Sequence, residues 1–337
     1  MKILFSHLKE FLKHSEEINV ISNALFRLGH ENEHNKNIID IEFTPNKGDC
    51  LSVLGIARDL NSIKETKLDL EIYEGDIEKL DFSFKNNLTE FCPKISFLKI
   101  EVEETPNSYE AYLENYFTDL GIGKNNFFTD ISNYLAYEIG QPTHCYDFNK
   151  VKNGIKLDRI DENKLFQTVT GKSIELKDNE IVFFKDEEVI NFAGVMGGES
   201  TKCDSSSKSA LIECAFFNPD MIIGKSVKYD LLSDAAYKFE RGVDINMHDF
   251  ALRRFIKIVE DHTKIKSLSI ETFEYKKYES KSIELDCKKI NEILGTSFSE
   301  EYIQSILKNL GFKFNDKNVR IPSWRHDVES LNDIAEE

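Results

Sequence analysis

The sequence predicts a multidomain α+β protein: a small α+β unit over residues 1–85, a mixed α+β domain over 86–278 and a winged-helix-like unit over 279–337. Three observations predict it. Segments with apolar residues at three- and four-residue spacing end on glycine, as amphipathic helices do. Between them lie short β-type runs joined by polar hairpins, a mixture that argues against a doubly wound parallel sheet. The length of 337 residues accommodates two or three domains at roughly 100–200 residues each.

In chain order, Ile18, Ile21, Leu25 and Leu28 mark a first helix, with Ser15 as its N-cap and Gly29 as its stop. A polar linker, Glu31 to Lys36, leads to a strand at Ile39–Phe43, and Asp49 is placed to cap a helix starting near Leu51. The compact unit closes around Ile77 and a charged connection follows. Ile95–Val102 reads as a strand, Ser108–Leu120 as a helix stopped by Gly121, and Asp130–Ile139 as a helix stopped by Gly140. Strands are expected at Ile155–Ile160, Phe166–Val169, Ile181–Phe184, Val189–Ala193 and Ala210–Ala215. Asn218-Pro219 opens a further helix, and a long one covers Asn246–His262. The last unit holds a strand at Ile283–Leu285, helices at Cys287–Leu294 and Ser299–Leu310, and a hairpin of Phe312–Phe314 with Val319–Ile321.

Composition narrows the function classes. With Lys+Arg 43 against Asp+Glu 60 the net charge is −17, which opposes holding nucleic acid by bulk charge. The surplus is uneven: Asp220–Glu260 is balanced, whereas Asp327–Glu337 carries only acids. No apolar stretch approaches the roughly 18 residues of a membrane span, and the start of the chain does not read as a secretory signal. The six cysteines form no C-x-x-C pair, so zinc knuckles and a disulfide framework are not expected.

Five segments carry candidate chemistry. His144 follows a Gly140-Gln141-Pro142 turn; it is expected on an accessible loop, either placing a water or ligand or bonded to backbone as a turn histidine. Gly194–Ser200 is glycine-rich without the spacing of a phosphate or dinucleotide loop, and lets backbone approach a ligand or simply turns. Glu213 interrupts an apolar run, Ala210–Phe217; it needs a partner or ligand if buried, or alternation turns it to solvent. Ser233–Asp244 mixes small and charged residues at a helix start, with Glu240-Arg241 as a structural ion pair. At the end of the sequence, Asp333, Glu336 and Glu337 share a helix face, and spacing alone reads them as a solvated acidic helix start.

Together these segments resemble the β subunit of bacterial phenylalanyl-tRNA synthetase. The resemblance rests on Phe43–Ser52 with Gly55–Arg58, Gly140–His144, Gly194–Glu199, Glu213–Phe217, Phe239–Asp244 and Pro322–Asp327, in family order over nearly the whole chain. It implies a middle domain of the B3/B4 type that hydrolyses mischarged Tyr-tRNA(Phe). Synthesis of Phe-tRNA lies in an α subunit that uses ATP not bound by this chain, within a cytoplasmic α2β2 assembly. By motif position Glu213 accepts the tyrosine hydroxyl, and His144 and Asn133 hold the aminoacyl end and its attacking water. Ser132, Gly197, Ser233 and Ala235 form the pocket wall, and Asp327, Asp333, Glu336 and Glu337 bind a Mg2+ shared with the α subunit. Departures also show. Asn35–Ile39 runs on where the family carries an oligonucleotide-binding insertion, Gly123 stands where arginine is usual, and the sequence stops inside a family motif at Ala335-Glu336-Glu337, before the family's C-terminal domains. The competing expectation is a non-catalytic module that assembles with α or contacts tRNA.

Overall fold

The computed structural model describes all 337 residues. Two five-stranded sheets dominate the middle of the chain. One runs, in spatial order, Glu78–Lys79, Ile265–Glu274, Lys94–Val102, Ser209–Phe216, Thr143–Asp147. The other runs Met196–Gly197, Glu188–Phe192, Ile181–Lys185, Ile155–Arg159, Phe84–Asn86. Within them only the edge strands Glu78–Lys79 and Phe84–Asn86 pair in parallel. Residues 78–86, which follow the small first unit, thus supply one edge to each sheet of the middle domain.

The Lys94–Val102 strand shows why these runs are apolar without clean alternation. Both of its faces are covered, so Ile95, Phe97, Leu98, Ile100 and Val102 are all buried. Leu98, Ile100 and Val102 face the helices Phe127–Ile139 and His248–His262, in a core that also takes Ile212 and Cys214. Ile95 and Phe97 face the second sheet, with Leu211, Ala215 and Tyr146. The strand period of two then fixes the direction of Glu213: it lies between Leu211 and Ala215, on the face that meets the other sheet.

The first unit is a three-stranded sheet, Lys2–Leu4, Ile38–Glu42 and Glu31–Asn35, with three helices, Phe5–Lys9, Ile18–Arg27 and Val53–Leu60. Its apolar residues have no core of their own. Ile3, Leu25, Ile41 and Ile56 pack in one cluster with Tyr134, Leu135 and Ile139 of the middle domain. A buried cluster of charges reinforces the contact: Arg254 donates to both Glu138 oxygens at 2.7 Å, and Tyr134 donates to Glu138 at 3.0 Å. His7 of the first unit lies 3.5 Å from the same carboxylate. The third unit has a separate core around Ile290, Leu307, Val319 and Ile334, and packs two helices, Cys287–Leu294 and Glu300–Asn309, with the Lys313–Asn315/Asn318–Arg320 hairpin.

Several local readings are corrected. Glu31–Lys36 is no linker: Glu31–Asn35 is an edge strand, and Lys36, at φ 53°, turns it into Ile38–Glu42. A strand exposed on both faces carries no apolar alternation in its sequence. The first helix starts at Ile18 without a side-chain cap, and Ser52, not Asp49, caps Val53–Leu60 by accepting from the Gly55 amide at 2.9 Å. Pro219 opens only a three-residue turn of 3₁₀ helix, Pro219–Met221. The ten-residue strand Ile265–Glu274 had no expected counterpart; half-exposed, it is held by its ladder to Lys94–Val102.

Candidate functional site

The two sheets meet at a small polar cluster. Glu213 stands directly opposite His144 in the antiparallel register of Ser209–Phe216 and Thr143–Asp147. His144 is therefore on a strand rather than a loop, and is half-buried: Gln141 and Pro142 are buried, and the chain enters the sheet at Thr143. Its ring packs edge-on against Tyr146 at 4.4 Å between centroids, and its Nε2 is shut away from solvent without a hydrogen-bond partner. Burial lowers its pKa to about 4, so the imidazole is neutral near pH 7. Glu213 accepts from the Tyr146 hydroxyl at 2.6 Å, and Asn191 of the second sheet donates to that hydroxyl oxygen at 2.8 Å. Burial pushes the Glu213 carboxyl up to about 7, with the Tyr146 bond opposing it.

Gly197 closes the cluster from the second sheet, where it pairs with Asn191. A Cβ there would lie 2.2 Å from His144 Cε1, a contact that only displacement of the ring could relieve. Gly197→Ala is accordingly expected to fold, at a cost of about 1–3 kcal/mol, with His144 pushed from its place. A changed His144 ring-proton shift in a variant of native circular dichroism checks this, and an unmoved resonance would contradict it.

Ser132, Asn133 and Ala235 line a neighbouring cleft of about 800 Å³, between the first unit and the middle domain, whose walls include Thr143 and the half-buried Phe43. Ser132 shares a hydrogen bond with Thr143 Oγ1 at 2.7 Å, tying helix Phe127–Ile139 to the His144 strand. Asn133 is exposed and its side chain has no protein partner. Ser233 is held elsewhere: it caps helix Asp234–Phe239 and donates to the Val195 carbonyl at 2.5 Å, anchoring that helix to the glycine-rich segment. Lys238 brings a buried ammonium to the cleft, its one salt-bridge partner being Asp234 at 3.2 Å.

Tyr146, Asn191 and Lys238 were not singled out from the sequence. Asn191 and Lys238 each interrupt an apolar or small-residue run, but nothing local pairs Asn191 with Tyr146, which sits among the polar residues Thr143, His144 and Asp147. The neighbouring cysteine is no nucleophile. Cys145 points to the opposite face of its strand, into the helix-side core; burial raises its pKa, and it donates to the Phe128 carbonyl at 3.3 Å.

The four acids at the end of the sequence do not converge on one point. Arg325 clamps Asp327 with two bonds, at 2.9 and 2.7 Å, and donates to Glu337 at 2.6 Å. Lys47 of the first unit bonds the Glu337 carboxylate at 3.0 Å, and Asn46 bonds Glu336 at 3.1 Å. Asp333 closes the capping box of helix Leu331–Glu336. The expected Mg2+ set is thus not assembled: no three of these carboxylates bring oxygens within 4.8 Å of one another, and Arg325 and Lys47 already pair with Asp327 and Glu337. The grouping that does converge, His30, Cys50 and Asp59, has Lys47 Nζ 3.5 Å from Asp59, which disfavours a cation there too.

Comparison with known proteins places this architecture. Residues 92–264, just over half of the chain, match the B3/4 domain family, and residues 283–337 match the tRNA synthetase B5 domain. The phenylalanine–tRNA ligase beta subunit of Francisella tularensis is 31% identical over 312 residues, covering 89% of this chain and 39% of the relative. That of Bartonella quintana is 31% identical over 313 residues, covering 89% and 38%. The chain therefore spans well under half the length of these relatives. The fold resembles the crystal structure of an N-terminal fragment of the phenylalanyl-tRNA synthetase beta subunit from Pyrococcus horikoshii, with a TM-score of 0.51 at 14% identity, covering 100% of this chain and 97% of that one. With both domains in order, the chain belongs to the B3/4 domain family and corresponds to the N-terminal part of phenylalanine–tRNA ligase beta subunits.

Proposed function

We propose that the chain works within a phenylalanine–tRNA ligase as its editing part, hydrolysing Tyr-tRNA(Phe) made in error, while an α subunit performs the ATP-dependent charging in an α2β2 assembly. The observation that carries this reading is Glu213, a buried carboxylate aimed into the junction of two sheets directly opposite a histidine with an unpartnered nitrogen. An apolar pocket for phenylalanine rejects tyrosine by no more than about a hundredfold, so a second site that reads the hydroxyl is useful. Glu213 supplies such a reader: a phenol satisfies it, and a bare phenyl ring leaves a buried acceptor unpaired at about 1–3 kcal/mol.

The residues divide the work. Glu213 takes the phenolic hydroxyl, the apolar walls of the cleft flank the terminal adenosine and side chain, and the Lys238 ammonium suits the phosphate backbone beside them. His144 is too weak a base near pH 7 to remove a proton from water, and serves, once substrate entry brings a water to its unpartnered nitrogen, by orienting that water toward the ester carbonyl. No side chain here forms a covalent intermediate. Water attacks the ester carbon, the C–O bond to the ribose breaks, and the ribose oxygen recovers the proton.

Deacylation of Tyr-tRNA(Phe) and Phe-tRNA(Phe) by the purified chain tests the reading. Glu213→Ala is expected to collapse the Tyr/Phe rate ratio by about 10- to 100-fold. His144→Ala should slow hydrolysis with tRNA affinity unchanged. A ratio untouched by Glu213→Ala would sink the assignment, and a folded wild-type chain without deacylase activity would favour the assembly-module reading.

A further inference from the structure

Glu213 does not stand alone, and what holds it has consequences. Tyr146, Asn191 and Glu213 are all buried, and they form a chain of hydrogen bonds across both sheets. The direction of that chain is fixed whenever the carboxyl is ionised. An ionised carboxylate can only accept, so the single phenolic hydrogen of Tyr146 goes to Glu213 Oε2. Asn191, donating from Nδ2, then fills a lone pair on the phenol oxygen and keeps its hydrogen turned toward Glu213. A carboxylate has two oxygens, and Oε1 has no protein donor. Tyr146 is therefore a companion to an incoming hydroxyl rather than its competitor.

The surroundings give Glu213 little other support. Across the two flanking strands it faces His144 and Phe97, the former neutral; Cys92 lies in the same inter-sheet core, whereas Cys145 and Cys214 point to the opposite face, and all three thiols have raised pKa values. Lys94 acts on Cys214, and no cation offsets the burial of Glu213 itself; the Tyr146 bond alone does so.

We propose that Asn191 and Tyr146 form a relay that biases the Glu213 carboxyl toward its ionised form and fixes its free oxygen as the acceptor for a phenolic hydroxyl, which makes Tyr146 a specificity-determining positioning residue. This rests on the reading of Glu213 as the tyrosine reader. Without the relay, burial is unopposed and Glu213 goes from part-protonated to almost wholly protonated at neutral pH. A neutral acid no longer leaves a charged oxygen unpaired beside a bare phenyl ring, so the distinction between the two substrates shrinks.

Tyr146→Phe keeps the ring that packs on His144 and removes only the hydroxyl. Two readouts on the whole chain test it. In carbon-13 NMR with labelled glutamate, the Glu213 resonance (identified by its loss in Glu213→Gln) is expected to titrate near 7 in the wild type and about one unit or more higher in Tyr146→Phe. In deacylation assays the Tyr/Phe ratio of the variant should fall about fivefold at pH 7 and recover as pH rises through the new midpoint. Asn191→Ala should shift both in the same direction by less. A structural role alone would slow both substrates with the midpoint unmoved, and an unmoved midpoint in folded Tyr146→Phe overturns the relay. A shifted midpoint in a chain that deacylates neither substrate would instead overturn the editing reading.

Discussion

Replacing Arg254 by alanine is expected to destabilise the chain by about 3–5 kcal/mol, the cost of leaving a buried carboxylate without its cation. Glu138 is 1% exposed and Arg254 8%, and the two-bond clamp between them joins the helices Phe127–Ile139 and His248–His262. Arg254 also donates to the Glu71 carbonyl at 2.9 Å, so its loss frees the segment that leads out of the first unit. The effect should depend on pH. Burial alone would raise the Glu138 carboxyl, but the bonds from Arg254 and His7 overcome it and bring it down to about 2, against an ordinary 4.5. A carboxyl lowered by folding stabilises the native state above its unfolded pKa, and loses that contribution as pH falls through the folded value. The wild-type advantage over Arg254→Ala should therefore be largest at high pH and shrink as pH falls through the raised Glu138 value of the variant, where protonation relieves the unpaired charge. Urea denaturation at pH 7 and pH 3 measures it; a gap under 1 kcal/mol, or one indifferent to pH, would show that the clamp is not what joins these helices.

The sequence made some features legible because a local rule determined them. Gly121 and Gly140 end their helices in the left-handed conformation, at φ 68° and 83°, as a glycine after an apolar periodic run should. Glu213 could be found because one carboxylate in an apolar run demands an explanation. Its partners could not, since Asn191 reaches Tyr146 only when two sheets close on each other. The His144 turn was visible, but not that the chain re-enters a sheet at once, because that strand owes its existence to Ser209–Phe216, which begins some 60 residues later. The acids of the last helix were likewise readable as one face. What the local pattern could not contain was Lys47, which reaches Glu337 across 290 residues and claims it for an ion pair.

Glu213→Gln is expected to act with the opposite sign to Arg254→Ala, stabilising the protein by about 3 kcal/mol above pH 7. The wild-type carboxyl is raised by burial to about 7 from an ordinary 4.5. The unfolded chain then releases its proton from about pH 4.5, whereas the folded chain holds it until about 7. Native stability thus declines across that interval and stays low above it. A glutamine has the same shape, accepts the Tyr146 hydroxyl through its carbonyl oxygen and never has to ionise. The variant and the wild type should melt together at pH 4 and separate progressively to pH 8, the variant higher; a difference that is flat across this range would show that Glu213 carries no such burden. Because the charge itself is what costs stability, the chain would fold better without it. A carboxylate kept at that expense, with a tyrosine and an asparagine arranged to bias it toward its ionised form, is what a site that must tell a phenol from a phenyl ring requires.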